Sequence, residues 1–344
     1  MSKKNLIILL TAIIVVHLAV IYGCMVSSRQ ENPGNRAALE AILSRLFDSG
    51  SKDENLPEEK TSAEKSKPWI YSKNPQLPAQ LQNRVTKTKS VILVDLNSRK
   101  VIYERNSKNR VAVASLTKLM SLLVINDHLD KQPSLRNQII ELSPAARQVE
   151  NAKLRAGKYK FDDLRHAMIV GSYNDAATQL AITCSGSVEA FVAEMNQKAA
   201  DMGLNHAKFN TPSGLPLKGE NSYASAADIA LLCEAVMKNA EMSKICSTAR
   251  YTLTMGGKRR GGNTIGSDNL MINGRNVPGA FGFKTGFTNE AGQCVAFGIR
   301  RNGRVLIGVV TGAPSGGRSN KKGPLFETSI QLAEWAFKNT GAEK

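Results

Sequence analysis

No CxxC pair occurs in this 344-residue chain, and its five cysteines (Cys24, Cys184, Cys233, Cys246, Cys294) and four histidines (His17, His128, His166, His206) show no metal-ligand spacing; HExxH is absent as well. These gaps exclude a zinc site built on a local motif, and no metal or other cofactor is expected. GxSxG is also missing, which excludes a Ser-His-Asp hydrolase with a nucleophile elbow. Acidic side chains are in deficit: 29 Asp and Glu stand against 46 Lys and Arg, a net charge of +17. Such a field draws a protein to polyanions. No RNP, zinc-finger or homeodomain signature accompanies it, so anionic envelope polymers are expected as partners and nucleic acid is not.

The four later cysteines read as small buried hydrophobes. In an exported domain one disulfide is an option, with Cys233 and Cys246 nearest in sequence, although sequence spacing does not fix the geometry that a disulfide needs.

The first long apolar run, Leu6 to Val26, is broken only by Thr11, His17 and Gly23 and is preceded by Lys3 and Lys4. At 1.5 Å per residue a helix over it would reach about 31 Å, close to the thickness of a bilayer's hydrocarbon core. The basic residues ahead of it predict that the remainder is exported. No AxA-type cleavage site follows. An uncleaved anchor, lipidation at Cys24 within Ile21-Tyr22-Gly23-Cys24, and a cleaved signal all place the rest on the outer face of the cytoplasmic membrane or in the periplasm. The membrane is thus an expected partner. Residues 1–26 are read as this anchor or signal. Residues 27–68 form a tether with one short amphipathic helix (Leu39, Ile42, Leu43, Leu46, Phe47) and a polar linker, and 69–340 form one globular domain.

Three short motifs occur in order: Ser115-Leu116-Thr117-Lys118, Ser172-Tyr173-Asn174 and Lys284-Thr285-Gly286. SxxK supplies a nucleophile with a base one helical turn away, SxN a proton relay and substrate anchor, and KTG a cation on a strand edge. Each is weak alone. SxxK also starts at Ser49, Ser62 and Ser319, and Ser267-Asp268-Asn269 is a literal SDN. Context ranks them: Leu116, Leu119, Met120 and Leu123 recur at i, i+3, i+4, i+7, so Ser115 begins a helix with one buried face and Lys118 can reach its hydroxyl. The rival Ser49 and Ser62 lie in a polar linker, and Ser319 in a Gly/Ser/Lys-rich loop. Lys284 stands ahead of a hairpin, Cys294 to Arg300 and Arg304 to Val310, turning at Asn302-Gly303 as a type I′ turn.

Another hairpin, Val91 to Asp95 and Val101 to Arg105, precedes the Ser115 helix. Helical patterns cover 115–130, 161–183, 187–202, 225–240 and 325–338. Strands at both chain ends with helices between predict an α/β (α+β) fold: an antiparallel sheet completed by both ends, flanked by helices, with a helical subdomain between.

With these motifs the chain resembles the low-molecular-mass penicillin-binding proteins, serine-type D-alanyl-D-alanine carboxypeptidases. Ser172 to Ala177 (SYNDAA), Ser225 to Ala230 and Lys284 to Thr288 carry the likeness, which runs over roughly 70–340. The resemblance implies a β-lactamase/transpeptidase-like sheet of about five strands. It implies an acyl-enzyme on Ser115 with Lys118 as base and Ser172 as proton relay. Asn174, Lys284, Thr285 and Gly286 would bind substrate, Lys284 and Thr285 holding the terminal carboxylate, with the N–H groups of Ser115 and Phe287 as oxyanion hole. Peptidoglycan stem pentapeptides would lose their terminal D-alanine, and β-lactams would inhibit.

Two departures bear on specificity. Family members often carry an arginine before the last helix for the terminal carboxylate; here Leu325-Phe326 stands nearest, with Arg318 earlier. A second, β-rich domain and a C-terminal anchor, common in the family, are not expected after the last helix. A D,D-endopeptidase acting on cross-links is the main alternative. Rapid β-lactam hydrolysis is disfavoured because Asn205 to Leu217 holds no acidic residue to serve deacylation. A silent wall-binding or sensing module is disfavoured by the intact motif residues.

Overall fold

The structure, a computed structural model, describes residues 67–256, 263–315 and 322–340. The readings of an anchor, a tether and Cys24 lipidation, and Arg318 as a substrate contact, lie outside the described residues. So do the C-terminal four residues.

Residues Ser90–Asp95 (β1), Val101–Arg105 (β2), Ala280–Thr288 (β3), Gly292–Arg301 (β4) and Arg304–Ala313 (β5) form one sheet in the order β2-β1-β5-β4-β3. Every neighbouring pair is antiparallel. The C-terminal hairpin therefore inserts against β1, and the sheet is completed by both ends of the domain, as the sequence predicts. The β4–β5 turn carries φ of 50° at Asn302 and 77° at Gly303, as a type I′ turn requires.

Strand β1 is buried along its whole length because both faces of the sheet are covered. Val91 and Leu93 join one core with Val295, Phe297, Leu306 and Val310; helices α1 (Ala79–Thr86) and α8 (Gly323–Asn339) supply Leu81, Val85, Phe326 and Leu332 to it. Ile92 and Val94 face the other way, into a larger core shared with α2 (Lys118–Lys131) and α6 (Ala226–Met237). Alternation along a strand thus feeds two cores at once.

Between β2 and β3 lie α2, α3 (Phe161–Ile169), α4 (Asn174–Ser185), α5 (Val188–Asp201), α6 and α7 (Ala240–Cys246). The pattern over 161–183 predicts one helix; the structure has two. The break falls at Ser172, whose φ of 56° no right-handed helix accommodates. Apolar positions continue on both sides of the break, so periodicity does not register it. Helix α4 then restarts with Asp175 in its first turn; this fully buried carboxylate accepts from the backbone N–H of Ala176 at 2.9 Å and from those of Lys153 and Leu154. One carboxylate therefore ties the 151–154 loop to the helix start. The four described cysteines are free thiols, and burial raises the pKa of Cys246 to about 12 and that of Cys294 to about 11.

Candidate active site

Ser115 sits in a 3-10 turn, Ala114–Thr117, that leads directly into α2. Ala114 has a φ of 47°, left-handed for a residue with a Cβ. Ala114, next to the SxxK serine, and Ser172, the SxN serine itself, thus hold uncommon backbone geometry, which marks a functional site when the surroundings enforce it.

The central arrangement is around the Lys118 amine. Lys118 has no exposed surface. Its Nζ lies 2.8 Å from Ser115 Oγ, 2.9 Å from Asn174 Oδ1 and 2.8 Å from the Ser213 carbonyl oxygen. Burial first, then the charges of Lys284 and Lys153, hold its pKa well below the ordinary lysine value. A neutral amine has two hydrogens and one lone pair. The carbonyl of Ser213 and the amide oxygen of Asn174 can only accept, so they take both hydrogens. Asn174 Nδ2 donates to the Glu150 carbonyl oxygen at 3.1 Å, which fixes the amide's orientation. In the neutral form the lone pair is left facing Ser115 Oγ, an arrangement in which the amine can accept the hydroxyl proton.

The strand edge is close by. A Cβ added at Gly286 would lie 2.9 Å from Ser115 N and 3.1 Å from the Val113 carbonyl oxygen, so only glycine lets β3 approach the serine this closely. On the opposite wall Gly214 has a φ of +80°, and a Cβ there would meet the Ala114 carbonyl oxygen at 2.0 Å. Gly214→Ala is expected to cost roughly 2–4 kcal/mol from strain and overpacking, and to displace the Ser115 turn. Thermal unfolding checks the first effect; an unchanged melting temperature would contradict it.

Ser115, Ser172, Asn174, Thr285, Gly286 and Phe287 line one cleft of about 270 Å³. Lys118 and Lys284 are not on its surface. Lys284 is 3% exposed and donates to the Thr285 carbonyl oxygen at 3.0 Å, so the expected direct contact with a substrate carboxylate is not set up in this geometry. Burial lowers its pKa to about 8; the nearby Asp268 carboxylate opposes that shift, while Lys322 and Lys153 add to it. All eight residues expected from the sequence are thus in one place, six on the lining and two beneath it.

Asn151, Lys153, Asp268, Gln293 and Lys322 also line the cleft, and the sequence reading did not single them out for the site. Asp268 and Lys322 form an ion pair at 2.7 Å. They come from the discounted SDN at Ser267 and the discounted SxxK at Ser319. Ser267 itself takes no part in the lining; its hydroxyl accepts from Asn269 N. Leu325, where the resemblance places an arginine in other members, is fully buried and borders the cleft.

Comparison with known proteins agrees with this geometry. The peptidase S11 family model, described as D-alanyl-D-alanine carboxypeptidase, matches residues 77–315. The D-alanyl-D-alanine carboxypeptidase DacF of Bacillus subtilis is 32% identical over 234 residues, 65% of this chain and 57% of the relative. A D-alanyl-D-alanine endopeptidase of Pseudomonas aeruginosa is 30% identical over 60% of this chain and 65% of its own. The crystal structure of a D-alanyl-D-alanine carboxypeptidase from Mycobacterium tuberculosis superposes with a TM-score of 0.65 at 25% identity, over 80% of this chain and 97% of that one. The chain spans about three fifths of the length of the first curated relatives it matches. With its sheet order, its three motifs around one cleft and the family match over 77–315, the chain belongs to the D-alanyl-D-alanine carboxypeptidase family, peptidase S11.

Proposed function

We propose that the protein is a serine D,D-peptidase that removes the terminal D-alanine from peptidoglycan stem pentapeptides through an acyl-enzyme on Ser115. The observation that carries this reading is the Lys118 amine, buried and held by two acceptors so that its lone pair meets the Ser115 hydroxyl. A serine is a weak nucleophile until a neighbouring base takes its proton. Ser115 then attacks the carbonyl of the D-Ala-D-Ala bond. The oxyanion is met by the N–H groups of Ser115 and Phe287, the first favoured by the α2 dipole. Ser172, on the cleft lining at the break before α4, passes the proton to the departing D-alanine nitrogen. Asn174 aligns Lys118 and presents its second amide hydrogen to the substrate backbone. Lys284 supplies positive charge from beneath Thr285, whose side of the cleft receives the terminal carboxylate. Water releases the acyl group.

The ring strain and carboxylate of β-lactams suit the same route and should trap Ser115. Penicillin-binding protein D2 of Listeria monocytogenes, known in a cefotaxime-bound form, shares the fold at a TM-score of 0.65 and 24% identity.

A mixed muropeptide digest tests the assignment. Pentapeptides should lose one alanine while cross-linked dimers survive. Splitting of dimers instead would favour the endopeptidase reading, which Leu325 in place of an arginine and the Pseudomonas relative support. Retention of residues 1–26 in the membrane fraction, with the domain outside, is the accompanying proposal for location. Protease accessibility of the domain in intact spheroplasts, outer membrane removed, checks it; protection there would refute it.

A further inference from the structure

Among the described residues the cleft lining holds one carboxylate, Asp268, and two cations, Lys153 and Lys322. Lys322 stands at the start of α8 and reaches back to the loop before β3, where its Nζ donates to Asp268 Oδ1 at 2.7 Å. The pair shares the cleft lining with Thr285, Gly286 and Leu325, and both partners act electrostatically on Lys284, the residue before Thr285, where the reading above places the substrate's terminal carboxylate. Lys284, buried beneath it, is committed to the Thr285 carbonyl oxygen. Among the described residues Lys322 is a cation at the surface of this lining, and it already carries an anion.

We propose that Asp268 is a specificity-determining residue: it holds Lys322 in the cleft and competes there with the terminal carboxylate of the substrate. The inference rests on the acyl-enzyme reading and adds a filter to it. An ammonium offers three hydrogens, so Lys322 can bridge both carboxylates, but two anions side by side repel and weaken the incoming one. A substrate whose corresponding end is an amide or ester meets no such opposition. The pair thus narrows the advantage of free carboxylate ends over capped ones, which is the axis that separates trimming of stems from cutting of cross-links.

The groups that bear on Asp268 are Lys322, Lys284 and Lys153, and burial opposes their lowering of its pKa. Lys284 in turn senses Asp268, Lys322, Cys246 and Lys153. Neutralising Asp268 therefore removes support for the charge on Lys284, so the comparison is made at pH 6.5, below the value of about 8 at which Lys284 titrates.

The test measures second-order acylation by a penicillin with its free carboxylate and by its methyl ester, on the full chain, using intact-protein mass spectrometry. Asp268→Asn is expected to speed acylation by the acid roughly three- to tenfold, the worth of a partly exposed ion pair, and to leave the ester within about twofold. Lys322→Gln should move the acid-to-ester ratio the other way, which guards against a variant that merely folds poorly. A ratio unmoved by Asp268→Asn, with the wild type acylated normally, would overturn the inference alone. No acylation of wild-type Ser115 by either compound would overturn the acyl-enzyme reading and the inference with it.

Discussion

Ser115→Ala is expected to abolish the covalent β-lactam adduct and to lower D-alanine release on the order of 10⁶-fold, because the variant removes the atom that bonds to the acyl group. Removing a nucleophile differs in kind from removing a binding contact, since no other group on the lining is placed to replace it: Lys118 Nζ lies below the surface, and Ser172 has no hydrogen bond to a base among the described residues. The fold should survive. Ser115 Oγ makes one long contact to the Ser213 carbonyl oxygen at 3.4 Å and one to Lys118, so its loss leaves two acceptors still holding the lysine. Intact-protein mass spectrometry after exposure to penicillin, with a thermal melt beside it, checks both halves. A penicilloyl mass shift in the folded variant would sink the assignment of Ser115. Retained noncovalent affinity for a stem pentapeptide is expected, because Asn174, Thr285 and Lys322 remain.

The sheet and the motif residues were legible because each rests on a local signal. Asn302-Gly303 fixes a two-residue hairpin, and the run Leu116, Leu119, Met120, Leu123 fixes the buried face of α2 that carries Ser115 into the core. What was not legible depends on long-range geometry. The break at Ser172 is set by tertiary demand: Asp175 pins a loop 21 and 22 residues away, and the apolar period runs through unchanged. Asp268 and Lys322 belong to motif look-alikes that context ranks below the others, yet the fold brings both to the cleft from opposite sides of β3 to β5 in sequence. A pattern search tests whether a residue fits a known role, and it says nothing about a pair whose only link is through space. Lys284 shows a third case. Its place on the strand edge was readable, but whether its amine points to substrate or beneath the strand is decided by packing, and here it is buried.

Lys118→Met is expected to slow acylation about 10²–10⁴-fold, the ordinary worth of a general base, while the serine and the oxyanion donors stay in place. The pH profile separates this from a packing defect. In the wild type, acylation should rise as Lys118 loses its proton and fall as Lys284 loses its own near pH 8, where the charge beneath Thr285 disappears. Lys284→Gln should erase the alkaline limb and move the acid limb to higher pH, because the charge of Lys284 is one of the causes that depress Lys118. The same titration reaches stability. A lysine whose folded pKa is depressed is protonated in the unfolded chain and neutral in the folded one, so folding releases a proton between the two values. Stability therefore rises with pH across that window, up to the unfolded value near 10.4, at about 1.4 kcal/mol per pH unit for each such lysine. Above pH 8 both Lys118 and Lys284 contribute in the wild type, and in Lys118→Met only Lys284 does. Denaturant unfolding between pH 8 and 10 should thus show a shallower slope of stability against pH in the variant. An unchanged slope would mean that Lys118 is charged in the folded protein, and its role as the base that takes the Ser115 proton would fall.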